Sequence, residues 1–238
     1  MVLVLGLVSV PFSYEDALRS GQTLTVRDVN GSVRVRNGDR LQIQARKYAR
    51  TGDPNAVKIH VEQHPDGTIV CVRYPPDAER GCSDTNVSSH GSSNNDTAVD
   101  FQVTIPRGVE LDAQTVNGSI DALTDGLADA STVNGSLRVD AREIRTARTI
   151  NGSIGLRVRN GSREALEAKA VNGSIDVEVP PGSGVTLDAK TLTGSIHAAG
   201  VAVEKPRFGP GANVHATLGD GGRHLDLETV NGSITLRR

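Results

Sequence analysis

Few side chains in this 238-residue chain are spaced to do chemistry, and each group can be weighed on its own. His60 and His64 bracket Glu62, a spacing that suits a metal on a helix. Here Val57, Ile59 and Val61 alternate with polar residues, so the stretch reads as a strand. On a strand the two histidines lie about 13 Å apart, too far to share an ion. His197, His215 and His224 fall late in the chain, with Asp220 and Asp226 nearby in sequence. A zinc site needs such ligands in closer placement, so surface histidines are the expectation. Asp121, Asp176 and Asp188 could supply the paired carboxylates of a polysaccharide-active enzyme. Such an enzyme usually adds aromatic platforms for sugar rings, and this chain has no Trp. The Gly-rich run Gly219–Gly222 precedes a strand and not a helix, so it does not read as a phosphate cradle. No catalytic residue, metal or cofactor is expected.

Two cysteines, Cys71 and Cys82, stand 11 residues apart. Two thiols without partner ligands do not make a metal site, which needs about four. In an exported protein they would form a disulfide that closes the intervening loop; in a reducing compartment they would stay free.

The elements that must position these residues are announced by a repeated phrase. It reads Val29-Asn30-Gly31-Ser32-Val33, Val116-Asn117-Gly118-Ser119-Ile120, Val133-Asn134-Gly135-Ser136-Leu137 and Ile150-Asn151-Gly152-Ser153-Ile154. It continues as Val171-Asn172-Gly173-Ser174-Ile175, Leu192-Thr193-Gly194-Ser195-Ile196 and Val230-Asn231-Gly232-Ser233-Ile234. Successive copies from Asn117 to Thr193 are 17, 17, 21 and 21 residues apart, and the last interval is 38. That interval reads as two coils, with a degenerate phrase at Thr217-Leu218-Gly219-Asp220.

The columns around the phrase are regular. Four residues before each Asn stand Ala113, Ala130, Ala147, Ala168 and Leu227, with Ala189 before Thr193. Two before stand Thr115, Thr132, Thr149, Ala170 and Thr229, with Thr191 before Thr193. Such columns arise when equivalent side chains stack at the strand spacing of about 4.8 Å. The pattern predicts an all-β, single-stranded β-solenoid of about 17–21 residues per coil, with an N-terminal strand-rich cap. A sandwich of ordinary hairpins is the competing reading.

Asn and Gly both tolerate positive φ, so each Asn-Gly-Ser is read as a structural corner, with stacked Asn side chains bonding along the axis. The equivalent serines argue for turn geometry over a nucleophile, and their match to glycosylation sequons is explained the same way. The aliphatics on both sides of the corner are expected to point inward. A second corner is expected halfway round each coil, at Thr124-Asp125-Gly126, Asp140-Ala141-Arg142, Asn160-Gly161-Ser162 and Pro180–Gly184.

Composition agrees with a thin interior. Aromatic residues make up 3% of the chain, while Gly occurs 26 times, as many turns require. A formal net charge of −2 gives no basic footprint for nucleic acid. No stretch reaches the ~18 apolar residues of a membrane span.

Residues 1–11 resemble a signal-like apolar leader without its basic start, or else a first buried strand. Residues 12–113 form an N-terminal β region with a long polar loop at 82–98, and residues 114–238 carry the repeats. At the C-terminus, Ile234–Arg238 would either tuck back beside an earlier coil or form a docking edge for self-association. Arg237 and Arg238 discourage strand addition there.

These residues together resemble the putative-adhesin family of bacterial domains of unknown function, which carry a recurring Val-Asn-Gly-Ser/Asp-Ile phrase. The resemblance spans nearly the whole chain after residue 12. It includes Gly21–Val26, the Cys71 strand, Val99–Gly108 and Gly219–Gly222. It implies a β-helix-like fold, a secreted, periplasmic or cell-surface location, and no established enzyme activity. The expected function is a non-enzymatic exported or envelope module. It would bind a surface glycan or protein or serve as passive structure, with a polysaccharide-active enzyme as the alternative.

Overall fold

The computed structural model describes residues 8–83, 95–160, 163–198, 200–201 and 211–238. Among the described residues it is all-β, with 18 strands and no helix, in one mixed sheet that is not closed. The first strands are β1 (Val8–Asp16), β2 (Thr23–Arg27), β3 (Val33–Gly38), β4 (Leu41–Ala49), β5 (Lys58–His64), β6 (Gly67–Arg73) and β7 (Ala98–Pro106). Then come β8 (Glu110–Asn117), β9 (Ile120–Asn134), β10 (Leu137–Asn151), β11 (Ile154–Val158), β12 (Leu166–Asn172) and β13 (Ile175–Glu178). The last are β14 (Val185–Thr193), β15 (Ile196–Ala198), β16 (Ala212–Leu218), β17 (Arg223–Asn231) and β18 (Ile234–Arg237).

Each phrase joins a strand of one ladder to a strand of a second ladder. The ladder before the corners runs β5-β6-β2-β8-β9-β10-β12-β17-β14-β16. The ladder after them runs β1-β4-β7-β3-β9-β10-β11-β13-β18-β15. Strands that flank a corner pair in parallel; the antiparallel partners β5, β16, β1 and β4 lie toward the ends. One rung, meaning the strand before a corner and the strand after it, therefore lies on the next in register: Asn117 opposite Asn134, Asn134 opposite Asn151, Asn151 opposite Asn172.

Two of the expected second corners are not loops. Thr124-Asp125-Gly126 lies within β9, and Asp140-Ala141-Arg142 lies within β10. There the chain passes from one ladder to the other inside a continuous strand, with register shifts between Ala141 and Glu143 and between Ile144 and Thr146. Bulges bend a strand without breaking it. Pro180–Gly184 does connect β13 to β14, whereas Gly161 and Ser162 lie outside the described residues.

The core is built from paired columns. Inward residues before the corner combine a large and a small side chain, as in Leu111 and Ala113 or Leu166 and Ala168. After the corner they are mostly branched: Val33, Ile120, Leu137, Ile154, Ile175, Ile196 and Ile234 are all buried. Ala opposite branched aliphatics keeps the interior thin enough to fill without aromatics.

A buried ion pair, not expected from the sequence, fastens the C-terminal rung. Arg223 donates to Glu143 Oε2 at 2.7 Å and to the carbonyls of Glu164 at 2.9 Å and Asn160 at 3.2 Å. Asn160 in turn donates to Glu143 Oε1 at 2.8 Å, so both carboxylate oxygens are satisfied. A pair of this kind is destabilising to break and well suited to fixing which strand goes where.

At the C-terminus one expectation is corrected and one choice between alternatives is decided. Thr217-Leu218-Gly219-Asp220 is not a degenerate corner: Thr217 and Leu218 end β16, which runs antiparallel to β14, and the glycine run turns the chain into β17. Of the two alternatives for the last strand, the first holds: β18 (Ile234–Arg237) tucks in between β13 and β15, so it is not an open docking edge. Arg237 bonds Asp176 at 3.0 Å and Arg238 reaches the Ser183 carbonyl at 3.4 Å. At the other end, Val8–Pro11 belong to β1 and pair with Arg46–Ala49, while residues 1–7 lie outside the described residues.

Candidate binding groove

The corner column is a hydrogen-bonded stack. Asn117, Asn134, Asn151, Asn172 and Asn231 each donate from Nδ2 to Oδ1 of the Asn on the neighbouring rung, at 2.8–2.9 Å, beginning at Asn30. Thr193 occupies the outer place beside Asn231. The serines follow the same axis: Ser136 N–H donates to Ser119 Oγ at 3.1 Å, and Ser153 N–H to Ser136 Oγ at 3.3 Å.

No described non-glycine residue has positive φ, so the asparagines are not in the left-handed conformation. The corner glycines Gly31, Gly152 and Gly194 do take positive φ, at 137°, 148° and 157°, and every corner needs glycine for a second reason. A Cβ at Gly118 would sit 1.7 Å from the Gly31 carbonyl oxygen, and one at Gly135 would sit 1.9 Å from that of Gly118. Equivalent contacts recur at Gly31, Gly152, Gly173, Gly194 and Gly232, against the neighbouring rung's backbone each time.

The threonine column explains what those carbonyls do. Thr132 donates to the Gly118 carbonyl at 2.9 Å, Thr149 to Gly135 at 3.0 Å, Thr229 to Gly173 at 2.8 Å, Thr191 to Gly232 at 2.8 Å and Thr115 to Gly31 at 3.4 Å. These threonines are buried, so each hydroxyl needs a partner and the corner supplies it.

Strand alternation then decides the next position. With Ala and Thr facing in, the aliphatic immediately before each Asn must face out. Ile150 is 44% exposed, Leu192 59%, and Val116 and Val171 38% each. The expectation that both bracketing aliphatics point inward therefore holds only for the residue after the corner. The parity of the columns carried this signal, since Ala and Thr at alternate positions already fill the inner face.

The outward aliphatics line a groove along the axis, of about 650 Å³, that takes in Val29, Val116, Val133, Ile150, Val171 and Val230. One rim is the polar column Arg27, Gln114, Ser131, Arg148, Lys169 and Glu228. Arg148 and Lys169 are held by Glu167, at 2.8 and 3.1 Å. At one end the groove meets Cys71, Val72 and Arg73. The Cys71–Cys82 disulfide anchors that end, with Arg27 donating to the Cys82 carbonyl at 3.1 Å.

Asp28 takes the threonine position on the rung of β2 and β3, near this end. It is 5% exposed, and neither carboxylate oxygen has a hydrogen-bond partner. Burial pushes its carboxyl up to about 7, and the charge of Asp100 adds to the rise; the Val29 N–H and Thr115 hydroxyl oppose it without bonding geometry. Asp100 is itself bonded, by Ser32 N–H at 2.9 Å and the Tyr48 hydroxyl at 3.0 Å. Burial also raises the Tyr74 hydroxyl, which donates to the Thr97 carbonyl at 2.6 Å.

Of the residues weighed for catalysis and metal binding, Asp188, His215 and His224 meet, and the two other carboxylates lie apart from them. Asp121 pairs with Arg36 at 2.8 Å and Asp176 with Arg237, both on the ladder after the corners. They are three rungs apart, roughly 14 Å at the strand spacing, against the 5–9.5 Å or so of glycosidase carboxylates. Asp188 lies on the other ladder, between His215 Nδ1 and His224 Nε2, the latter at 2.8 Å. The His215 bond holds the Asp188 carboxyl below its usual range and raises the His215 ring. His197 contacts Ser195 at 2.9 Å; His60 contacts the Ala78 carbonyl at 2.6 Å; His64 lies 3.6 Å from Glu62. Among the described residues no group of three or more His, Cys, Asp or Glu is placed to hold a metal ion. No described helix is long and apolar enough to cross a membrane.

The chain matches no protein-family model and no curated protein sequence. Among solved structures it is similar to a "putative cell adhesion protein" from Clostridium sporogenes, with 14% identity, 95% of this chain and 99% of that chain covered, and a TM-score of 0.49. It is also similar to a "putative adhesin" from Bacteroides fragilis, at 11% identity, 95% and 96% coverage and a TM-score of 0.28. A "putative adhesin" from Parabacteroides distasonis gives 10% identity, 95% and 96% coverage and a TM-score of 0.30.

Proposed function

We propose that the chain is a non-enzymatic binding module of the cell surface or envelope, built as a β-solenoid, whose outward aliphatic column receives an extended segment of a partner protein. The observation that carries this reading is the apolar groove along Val116, Val133, Ile150 and Val171. Exposed contiguous apolar surface of this kind is the usual mark of an interaction site. Its outward column is aliphatic and no aromatic residue lines it, so it lacks the platforms a sugar ring would use, which favours an extended peptide over a glycan. Aliphatic side chains recur on every rung, about 4.8 Å apart, so the groove is a continuous apolar strip long enough for an extended segment to lie along. The disulfide fits an oxidising compartment and so supports export.

The test is a triple variant, Val116→Glu/Ile150→Glu/Val171→Glu, compared with the wild type on an array of extended peptides with alternating aliphatic residues. All three positions are exposed, so the variant should melt within a few degrees of the wild type. Loss of at least tenfold in peptide affinity is expected. Peptide affinity unchanged in the triple variant would overturn the groove. Oligosaccharides released from a glycan array would overturn the non-enzymatic reading.

A further inference from the structure

At the end of the ladder that precedes the corners, β16 is outermost and pairs only with β14 among the described residues. An edge strand presents a row of unpaired backbone donors and acceptors, and proteins usually blunt such edges with Lys, Pro or inward charge. The other outer strands are blunted or short. Pro11 sits inside β1, which ends in Glu15 and Asp16. Lys58 and Glu62 punctuate β5, and β15 spans only three residues. In contrast β16 reads Ala212-Asn213-Val214-His215-Ala216-Thr217-Leu218, with no Lys, Arg, Asp, Glu or Pro.

Its burial pattern is symmetric about the middle. Ala212, Val214 and Leu218 are buried and Ala216 half-buried, while Asn213, His215 and Thr217 face out. We propose that β16 is a self-pairing edge, through which a second copy of this chain docks antiparallel about a two-fold axis at His215. This register sets Ala212 opposite Leu218, Asn213 opposite Thr217 and Val214 opposite Ala216, so inner residues meet inner and outer meet outer along all seven positions. Shifting the register by one residue would set buried side chains opposite exposed ones, which a sheet with one buried face does not tolerate. An axis at Val214 or Ala216 keeps the parity but loses pairs at the end. The two facing histidines each retain the Asp188 carboxylate of their own copy, which offsets their mutual repulsion. A two-fold contact of this kind is closed and ends with the dimer. It is independent of the groove, which lies along the side of the stack.

Cross-linking tests the register. In the proposed pair, His215→Cys places two sulfurs on Cα atoms about 4.5–5.5 Å apart, within the reach of a disulfide. Asn213→Cys is the control, because its counterpart would lie roughly 13 Å along the strand. The native disulfide is buried at both ends and does not compete. A charge series tests the edge itself. Asn213→Lys/Thr217→Lys sets like charges opposite each other and should weaken the dimer at least tenfold in sedimentation equilibrium. Asn213→Lys/Thr217→Glu sets opposite charges together and should retain it. Asn213, His215 and Thr217 are all exposed, and melting curves would show that each variant folds. A wild type that stays monomeric at about 0.1 mM would overturn the proposal. So would a dimer that cross-links through Asn213→Cys and not through His215→Cys.

Discussion

The middle rungs and the two ends of the stack obey different rules of order. From Asn117 to Asn172 each rung lies on the next one in sequence, and threonines close the column behind the corners. At the N-terminal end the rung of β2 and β3 is inserted between β6 and β7 on one side and β8 and β9 on the other. At the C-terminal end the rung of β17 and β18 is inserted between β12 and β13 and the rung of β14 and β15. Both inserted rungs carry a full phrase, with Asn30 and Asn231. The rungs pushed outward do not: Thr193 stands where an Asn would, and β6 and β7 are not joined by the phrase at all. An Asn amide gains most with a neighbour on each side, so complete phrases lie inside the stack and incomplete ones outside. Repeat proteins need atypical terminal units for the same reason.

The strongest way to test the middle is to place the same charge on either side of one corner. Ile154 is 1% exposed and Ile150 is 44% exposed. An Asp at 154 would bury a carboxylate without a partner in the centre of the stack, at a cost of several kcal/mol. Ile154→Asp should therefore lose the cooperative melting transition followed by circular dichroism. Ile150→Asp should change stability by no more than about 1 kcal/mol. Two variants with equal melting temperatures would remove the distinction between inward and outward columns.

That distinction also shows what was legible in the sequence. All-β structure, the corner phrase and the stacked columns follow from local periodicity, which repeats from Ala113 to Ile196. The orientation of Val116, Ile150 and Val171 was present too, in the alternation with Ala and Thr, but reading the phrase as a symmetric unit obscured it. The order of the rungs was not legible. It depends on which strands meet across the long connections before β7 and β16, and on partners such as Arg223 and Glu143, 80 residues apart. Asp28 was likewise invisible: in sequence it is an ordinary acidic residue before Val29, and only the register beside Thr115 places it in the buried column. The groove became visible once outward columns from six rungs were brought together.

Asp28→Thr would make the inserted rung of β2 and β3 resemble the middle. The folded carboxyl titrates at about 7, against ~3.9 in an unfolded chain. The folded state thus binds more protons between these values, and the wild type loses stability as pH rises from about 4 to 7. Above 7 the penalty is fully present; below about 4 it is absent. Asp28→Thr removes the titration, so at pH 8 it should stabilise the fold by about 2–4 kcal/mol. The difference between variant and wild type should shrink steadily as pH falls toward 4. Denaturant unfolding of both proteins across this range would measure it. A difference that stays constant with pH would mean that Asp28 is ionised in both states and that this rung is not under electrostatic strain.

Ala170→Thr is the smallest change and acts on the middle itself. Ala170 is the single break in the threonine column between Thr115 and Thr229, with Thr149 beside it on one rung and Thr229 on the other. Its neighbours donate to the glycine carbonyl of the adjacent rung, Thr149 to Gly135 and Thr229 to Gly173. By the same register a hydroxyl at 170 would reach the Gly152 carbonyl, which receives no threonine in the native chain. The column accommodates threonine on both sides of this position, so the added methyl and hydroxyl meet no new kind of neighbour. A buried hydrogen bond gained in this way contributes about 0.5–1.5 kcal/mol, or a rise of roughly 2–4 °C in Tm per kcal/mol for a chain of this size. Slower amide exchange at Gly173 and Ser174 should accompany the rise, since the corner beside them is held more tightly. A lowered Tm would mean that Ala170 is small because the stack narrows there, and the column would then be shaped by packing at this rung rather than by its hydrogen bonds.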